Sequence, residues 1–168
     1  MRSWKSKIVL IIIAIFVVIQ FIRPSKNLSA DETKSIATKY EIPESVNSIF
    51  QKSCYDCHSN KTVYPWYSEI QPVGWWLSNH VEEGKGELNF SAFISRPLAV
   101  QNHKLEEIIE MVEEGEMPLP SYTWLGLHPE ANLTDQEKEE VIGWAKAQMD
   151  VLKQQYPPDS LILKIRGT

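Results

Sequence analysis

The chain is 168 residues long, with 17 lysines and arginines against 22 aspartates and glutamates and only two cysteines. That length holds one domain plus an anchor, and two cysteines leave no disulfide framework. Residues 1–23 hold four of the basic residues and no acidic one, so residues 24–168 carry 13 basic against 22 acidic side chains, a formal −9. A body this acidic is a poor nucleic-acid binder and a plausible docking partner for a basic surface, although acidic helix faces also serve solubility alone.

Met1 to Lys7 is short and basic, and Ile8 to Ile22 is apolar except for Gln20, closed by Arg23-Pro24. The run is short for a spanning helix and long for the apolar core of a signal peptide. Arg2, Lys5 and Lys7 keep the start in the cytoplasm, and everything after Arg23 is exported. Leu28-Ser29-Ala30 is a poor cleavage site because leucine is large for its position, so an uncleaved signal anchor over 1–23 is expected ahead of a cleaved peptide. Residues 24–42 are polar with scattered apolar positions and read as a tether that holds a domain off the membrane.

Pro43-Glu44 opens a helix whose face Val46, Ile49, Phe50 and Cys54 runs into Cys54-Tyr55-Asp56-Cys57-His58. Two thiols one helical turn apart can each add across a vinyl group of one haem. The histidine that follows is placed to put an imidazole nitrogen on the iron. Other uses of the pair fit less well. A thioredoxin-like dithiol wants βαβ units around it. Zinc needs two further ligands, and the remaining histidines, His80, His103 and His128, are far apart in sequence. Haem attachment also takes place outside the cytoplasm, where thiols must be handled against oxidation, which agrees with export.

Downstream, Trp66, Tyr67, Trp75 and Trp76 are dense enough to face a macrocycle or simply to build a core. The next helix is expected from Pro72 to Gly84, with Val73, Trp76, Leu77, His80 and Val81 as its buried stripe and Gly84 as its stop. On that stripe His80 could ligate iron or be a satisfied buried histidine. A further helix should bury Leu105, Ile108, Ile109 and Val112 and wet its glutamates, with Gly115 as cap and no special role for His103. Met117-Pro118 follows in an extended loop about sixty residues after His58. Proline stiffens that loop, and a thioether held so is a natural sixth iron ligand, with a gap-filling core methionine as the alternative. Trp124 to Pro129 reads as a short apolar loop in which His128 is the least suited ligand. Thr134-Asp-Gln-Glu137 is a capping box opening a helix to about Gln155, with Val141, Trp144, Ala145, Gln148 and Leu152 inward and Pro157-Pro158 as the stop. The haem domain is thus expected over 43–156, with 157–168 a tail.

This order of parts resembles class I cytochromes c: a first helix into Cys54-Tyr-Asp-Cys57-His58, a loop with Glu116-Met117-Pro118, and a last helix from Thr134 through Trp144. The chain also resembles a family of membrane-anchored bacterial haem-binding domains with a single Cys-x-x-Cys-His and a Trp-rich middle. The resemblance covers about residues 42–155. It implies an all-α, cytochrome c-like helical domain around one covalent haem c, preceded by one transmembrane helix. It implies thioethers at Cys54 and Cys57, His58 as proximal iron ligand and Met117 as distal ligand, with His80 as the alternative. The middle, from about Asn60 to Ala99, is longer and more aromatic than a small cytochrome c needs, which leaves the sixth ligand open.

The function expected is one-electron transfer at the outer face of the cytoplasmic membrane, with redox proteins as partners and no enzymatic site beside the haem. The alternatives are a haem sensor or peroxidase-like protein with an open sixth position, and a haemless exported dithiol or metal-binding domain.

Overall fold

The computed structural model describes residues 4–123 and 127–164. Arg2, the Trp124–Gly126 part of the apolar loop and the last four tail residues lie outside that description. Among the described residues the regular elements are helices: α1 Trp4–Ile19, α2 Glu44–Ser53, α3 Tyr55–His58, α4 Val73–Glu87, α5 Leu98–Glu113, α6 Pro120–Thr123 and α7 Asp135–Gln155, with short 3-10 turns between them.

Three of these make the frame. In α2 the buried residues are Val46, Ile49 and Phe50, a helical i, i+3, i+4 stripe. The capping box at the start of α7 is formed as its sequence predicts. Thr134 Oγ1 accepts from the Glu137 N–H, and Glu137 Oε2 accepts from the Thr134 N–H at 2.9 Å. Lys52 on α2 then meets Glu137 at 2.6 Å. On α7, Val141, Trp144, Ala145 and Leu152 are buried. The Trp144 indole N–H donates to Glu41 O at 2.9 Å, so the last helix is fastened across the entry to α2. Phe50 is fully buried, edge-on to Trp144 and tilted against Phe90 at 4.9 Å. Burying such a ring is worth roughly 1.5–3 kcal/mol. α5 packs along α7 and buries Leu105, Ile108 and Val112, with Ile109 half-buried. Gly115 follows at φ +75°, the left-handed conformation that glycine takes past a helix end.

Two segments differ from the expectation. Residues 24–42, read as a tether, lie on the domain. Ile36 and Tyr40 are core residues, and Tyr40 Oη donates to Gln101 Oε1 at 2.7 Å. The Asn27 side chain donates to Ser59 O and Thr62 Oγ1, and Leu28 bridges to Lys61. The average polarity of this stretch hides the two residues that anchor it. The second difference is α4, which runs through Gly84 to Glu87 and buries Gly74, Leu77 and Val81, leaving Val73 and Trp76 exposed. Gly84 is a point of close approach instead of a stop. A Cβ there would lie 2.9 Å from Cys57 O and 3.2 Å from Cys57 Cβ.

α1 is apolar from Ile8 onward, after Lys5, Ser6 and Lys7 in its first turn, and none of its residues is buried. It has 16 residues, about 24 Å at 1.5 Å per residue. Among the described residues, no helix is long and apolar enough to cross a membrane.

Candidate functional site

Between α2, α3, α5 and α7 lies a cavity of about 440 Å³, within the roughly 300–1,000 Å³ common for cofactor and small-molecule sites. Its apolar wall includes Phe50, Phe90, Ile108, Val112 and Val141, so the domain core and the cavity share residues. Cys54, His58, Met117 and Pro118 line it too.

The stretch from Cys54 to His58 is built by a tight succession of turns. Cys54 ends α2, its N–H bonded to Phe50 O, and its carbonyl accepts from the His58 N–H, both at 2.9 Å. This single turn sends Cys54 and His58 to the same cavity. Cys57 is not among the lining residues; its Cβ packs by Gly84. Both thiols are unpaired. Burial pushes Cys54 up to about 12, with a smaller push from Cys57, and burial followed by the charge of Asp56 pushes Cys57 up to about 11. They are neutral thiols at neutral pH, unlike reactive dithiols, whose pKa is lowered.

His58 is held by α4. Its Nδ1 lies 2.9 Å from Gly84 O and 3.0 Å from Leu88 O. Two acceptors require the proton on Nδ1, which leaves the Nε2 lone pair free for a metal. Burial, the largest influence, lowers its pKa, the two carbonyls oppose this, and Lys104 adds to the lowering. The glycine that lets α4 approach Cys57 is thus the residue whose carbonyl orients His58.

Met117 reaches the cavity because its loop is tied down at both ends. Its N–H donates to Met111 O at 3.0 Å. Farther along, Tyr122 Oη donates to Asp56 Oδ2 at 3.0 Å, while Asp56 Oδ1 accepts from the Val63 N–H. Asp56 therefore clamps the methionine loop onto the attachment motif. That coupling was not read from the sequence.

The other histidines separate by place. His80 does not line the cavity: its Nδ1 is 3.1 Å from Trp76 O and its ring packs on Trp76 at 4.4 Å. His128 is outside as well, held between Tyr67 Oη at 2.5 Å and Glu130 at 3.1 Å and stacked on Tyr122. His103, given no role from the sequence, does line the cavity, as do Lys104, Glu107 and Met111. His103, Glu107 and Met111 form a second stripe of α5 at i, i+4, i+8 spacing beside the buried one, with Lys104 next to it; the sequence assigned His103 no role and put Glu107 on the wet face with the other glutamates. The tryptophan-rich stretch faces elsewhere. Trp66, Trp75 and Trp76 are absent from the cavity wall, and the Trp75 indole donates to Ile22 O at 2.7 Å. Phe50 and Phe90 supply the aromatic wall instead.

A family model described as a haem-binding domain matches residues 14–147. The match contains the attachment motif, α4, α5, the methionine loop and most of α7. No curated protein and no solved structure matches the chain.

Proposed function

The chain belongs to the haem-binding domain family and binds haem, and from this premise we propose that it is a monohaem c-type cytochrome passing single electrons at the outer face of the cytoplasmic membrane. The observation that carries the reading is His58, half-buried in the cavity wall with Nδ1 committed to Gly84 and Leu88 and Nε2 free to serve as a ligand. The cavity and its donor set fit the group: an apolar slot, a thiol on its wall, an imidazole of fixed tautomer and a thioether.

In this reading Cys54 and Cys57 would hold haem c covalently, with His58 and Met117 as the residues that would ligate its iron. Haem supplies a one-electron iron couple when bound. The chain contributes by exclusion and orientation. Phe50, Ile108, Val112 and Val141 give the cavity an apolar wall that excludes water, and the paired carbonyls on His58 keep its ring from turning. His/Met ligation would close both axial positions, raising the potential and leaving no place for a substrate. The acidic body suits a redox partner with a basic face, and α1 is read as the membrane anchor.

Absorption spectra of the full chain, produced with a haem-attachment system, test this in both oxidation states. A low-spin reduced spectrum with a weak sulfur-to-iron band when oxidised is the expected result. High-spin haem would favour an open sixth position and a sensor or peroxidase-like role. Absence of covalent haem would overturn the c-type reading.

A further inference from the structure

The join between α1 and the domain is a built contact. Gln20 Nε2 donates to Gln71 O at 3.1 Å while Gln20 Oε1 accepts from the Gln71 N–H at 2.9 Å. The Trp75 indole closes on Ile22 O, and Arg23 pairs with Glu69 at 2.6 Å, joined there by Lys26. A flexible tether would leave these groups to water. Here the base of an exposed apolar helix is fixed to the stretch from Glu69 to Trp75.

That same stretch carries apolar side chains with no protein cover. Ile70 and Val73 are each 39% exposed, Trp76 is 42% exposed, and Trp66, just before it, is 75% exposed. Clustered exposed apolar residues mark an interaction surface. Tryptophan is enriched where hydrocarbon meets headgroups, because its ring is apolar and its N–H wet. The surface is continuous with α1 through Ile22 and Trp75, so whatever covers the exposed side chains of α1 reaches Ile70 and Val73 next. α1 is also short against a hydrocarbon core of roughly 30 Å, and a short span brings its flanking residues into the interface.

We propose that Trp66, Ile70, Val73 and Trp76 form a seat on the lipid bilayer that α1 enters, so that the haem domain rests on the membrane in one orientation instead of roaming on a tether. This inference rests on the membrane reading of α1 given above. The occupant is a lipid interface and not a protein, because the fixed base of α1 brings that phase to the patch without a second chain.

The test is hydroxyl-radical oxidation, read by mass spectrometry, of the full haem-loaded chain in nanodiscs of phosphatidylcholine and phosphatidylglycerol. Val151, 42% exposed on α7, is the reference for a solvent-facing apolar residue. The expected result is that Trp66 and Trp76 oxidise several-fold more slowly than their exposure dictates relative to Val151, with the α1 peptide protected. In a Trp66→Lys, Trp76→Lys variant, whose changes sit on the surface, oxidation of the peptide bearing Ile70 and Val73 should rise while α1 stays protected. A protected α1 with Trp66 and Trp76 oxidised at the rate of their exposure would overturn the seat and leave the anchor standing. An unprotected α1 would sink both.

Discussion

Met117 and Met111 stand in the same cavity wall, six positions apart, with the N–H of one on the carbonyl of the other. Only Met117 is followed by proline, in a loop clamped through Tyr122 to Asp56. We therefore expect Met117→Ala to keep covalent haem but to bind carbon monoxide at least tenfold more tightly, the counterpart of losing roughly 1.4 kcal/mol of competition from an internal ligand. Met111→Ala should not do so. Equal affinity in Met117→Ala and the parent would remove Met117 from the iron and turn attention to His103. A second residue gives a pH signature. Burial, with a lesser contribution from Tyr156, raises the Tyr40 hydroxyl to about 12, against about 10 in an unfolded chain. The folded state thus holds this proton more firmly. The stabilisation it confers is complete below pH ~10 and is lost as pH rises through the folded value. Denaturant titrations across that alkaline window should show Tyr40→Phe losing stability less steeply than the parent.

At the scale of elements, α4 is the part whose role was hardest to read. Its glycine at 84 looked like a stop because glycine commonly ends helices. Its value lies in a missing Cβ, a property of the partner helix that no local pattern contains. Gly84→Ala should cost about 1–3 kcal/mol in denaturant unfolding, as overpacked sites do, and should shift the haem midpoint potential because Gly84 O orients His58. Thr134→Ala, which removes one capping bond from α7, should cost about 1 kcal/mol and leave the potential alone. A Gly84→Ala protein with unchanged stability and potential would contradict the close packing described. The helices that carry their own signals were legible: the capping box at Thr134, the stripe of α2, the motif at Cys54 to His58. The stripe of α4 was displaced, because Val73, Trp76 and His80 share helical spacing as well as Leu77 and Val81 do, and only the packing of α4 against α3 decides which face is covered. Lys104 and His103 were missed for a related reason. Polar side chains on a helix are ordinarily on the wet side, and the cavity wall is an exception that tertiary structure creates.

For the molecule as a whole, the core and the proposed haem cavity are one object. Phe50, Phe90, Ile108, Val112 and Val141 belong both to the packed interior and to the cavity wall. A stability of roughly 5–15 kcal/mol is usual for a domain, and walls that pack against nothing forfeit a large part of it. Chain produced with Cys54→Ala and Cys57→Ala, and hence without covalent haem, should melt well below the loaded protein and bind a hydrophobic dye. Thermal scans and dye fluorescence would check this, and an unchanged midpoint would show that the interior is complete without the group. Residues 24–42 belong to this scale too. Their composition suggested a spacer, yet Ile36 and Tyr40 add to the same interior, because burying two side chains is enough to hold a polar segment in place.

Val141 is the last of the cavity's lining residues in chain order, and Trp144 reaches back from the same helix to Glu41. If the residues after Arg23 are exported in chain order, as the proposed reading has it, Cys54, Cys57 and His58 would emerge while α7 is still to come. In that reading the attachment machinery would meet the motif on an open cradle, and the final helix would swing across afterwards. Maturation would acquire its sequence of events from the order of residues along the chain, with closure as the closing act of export.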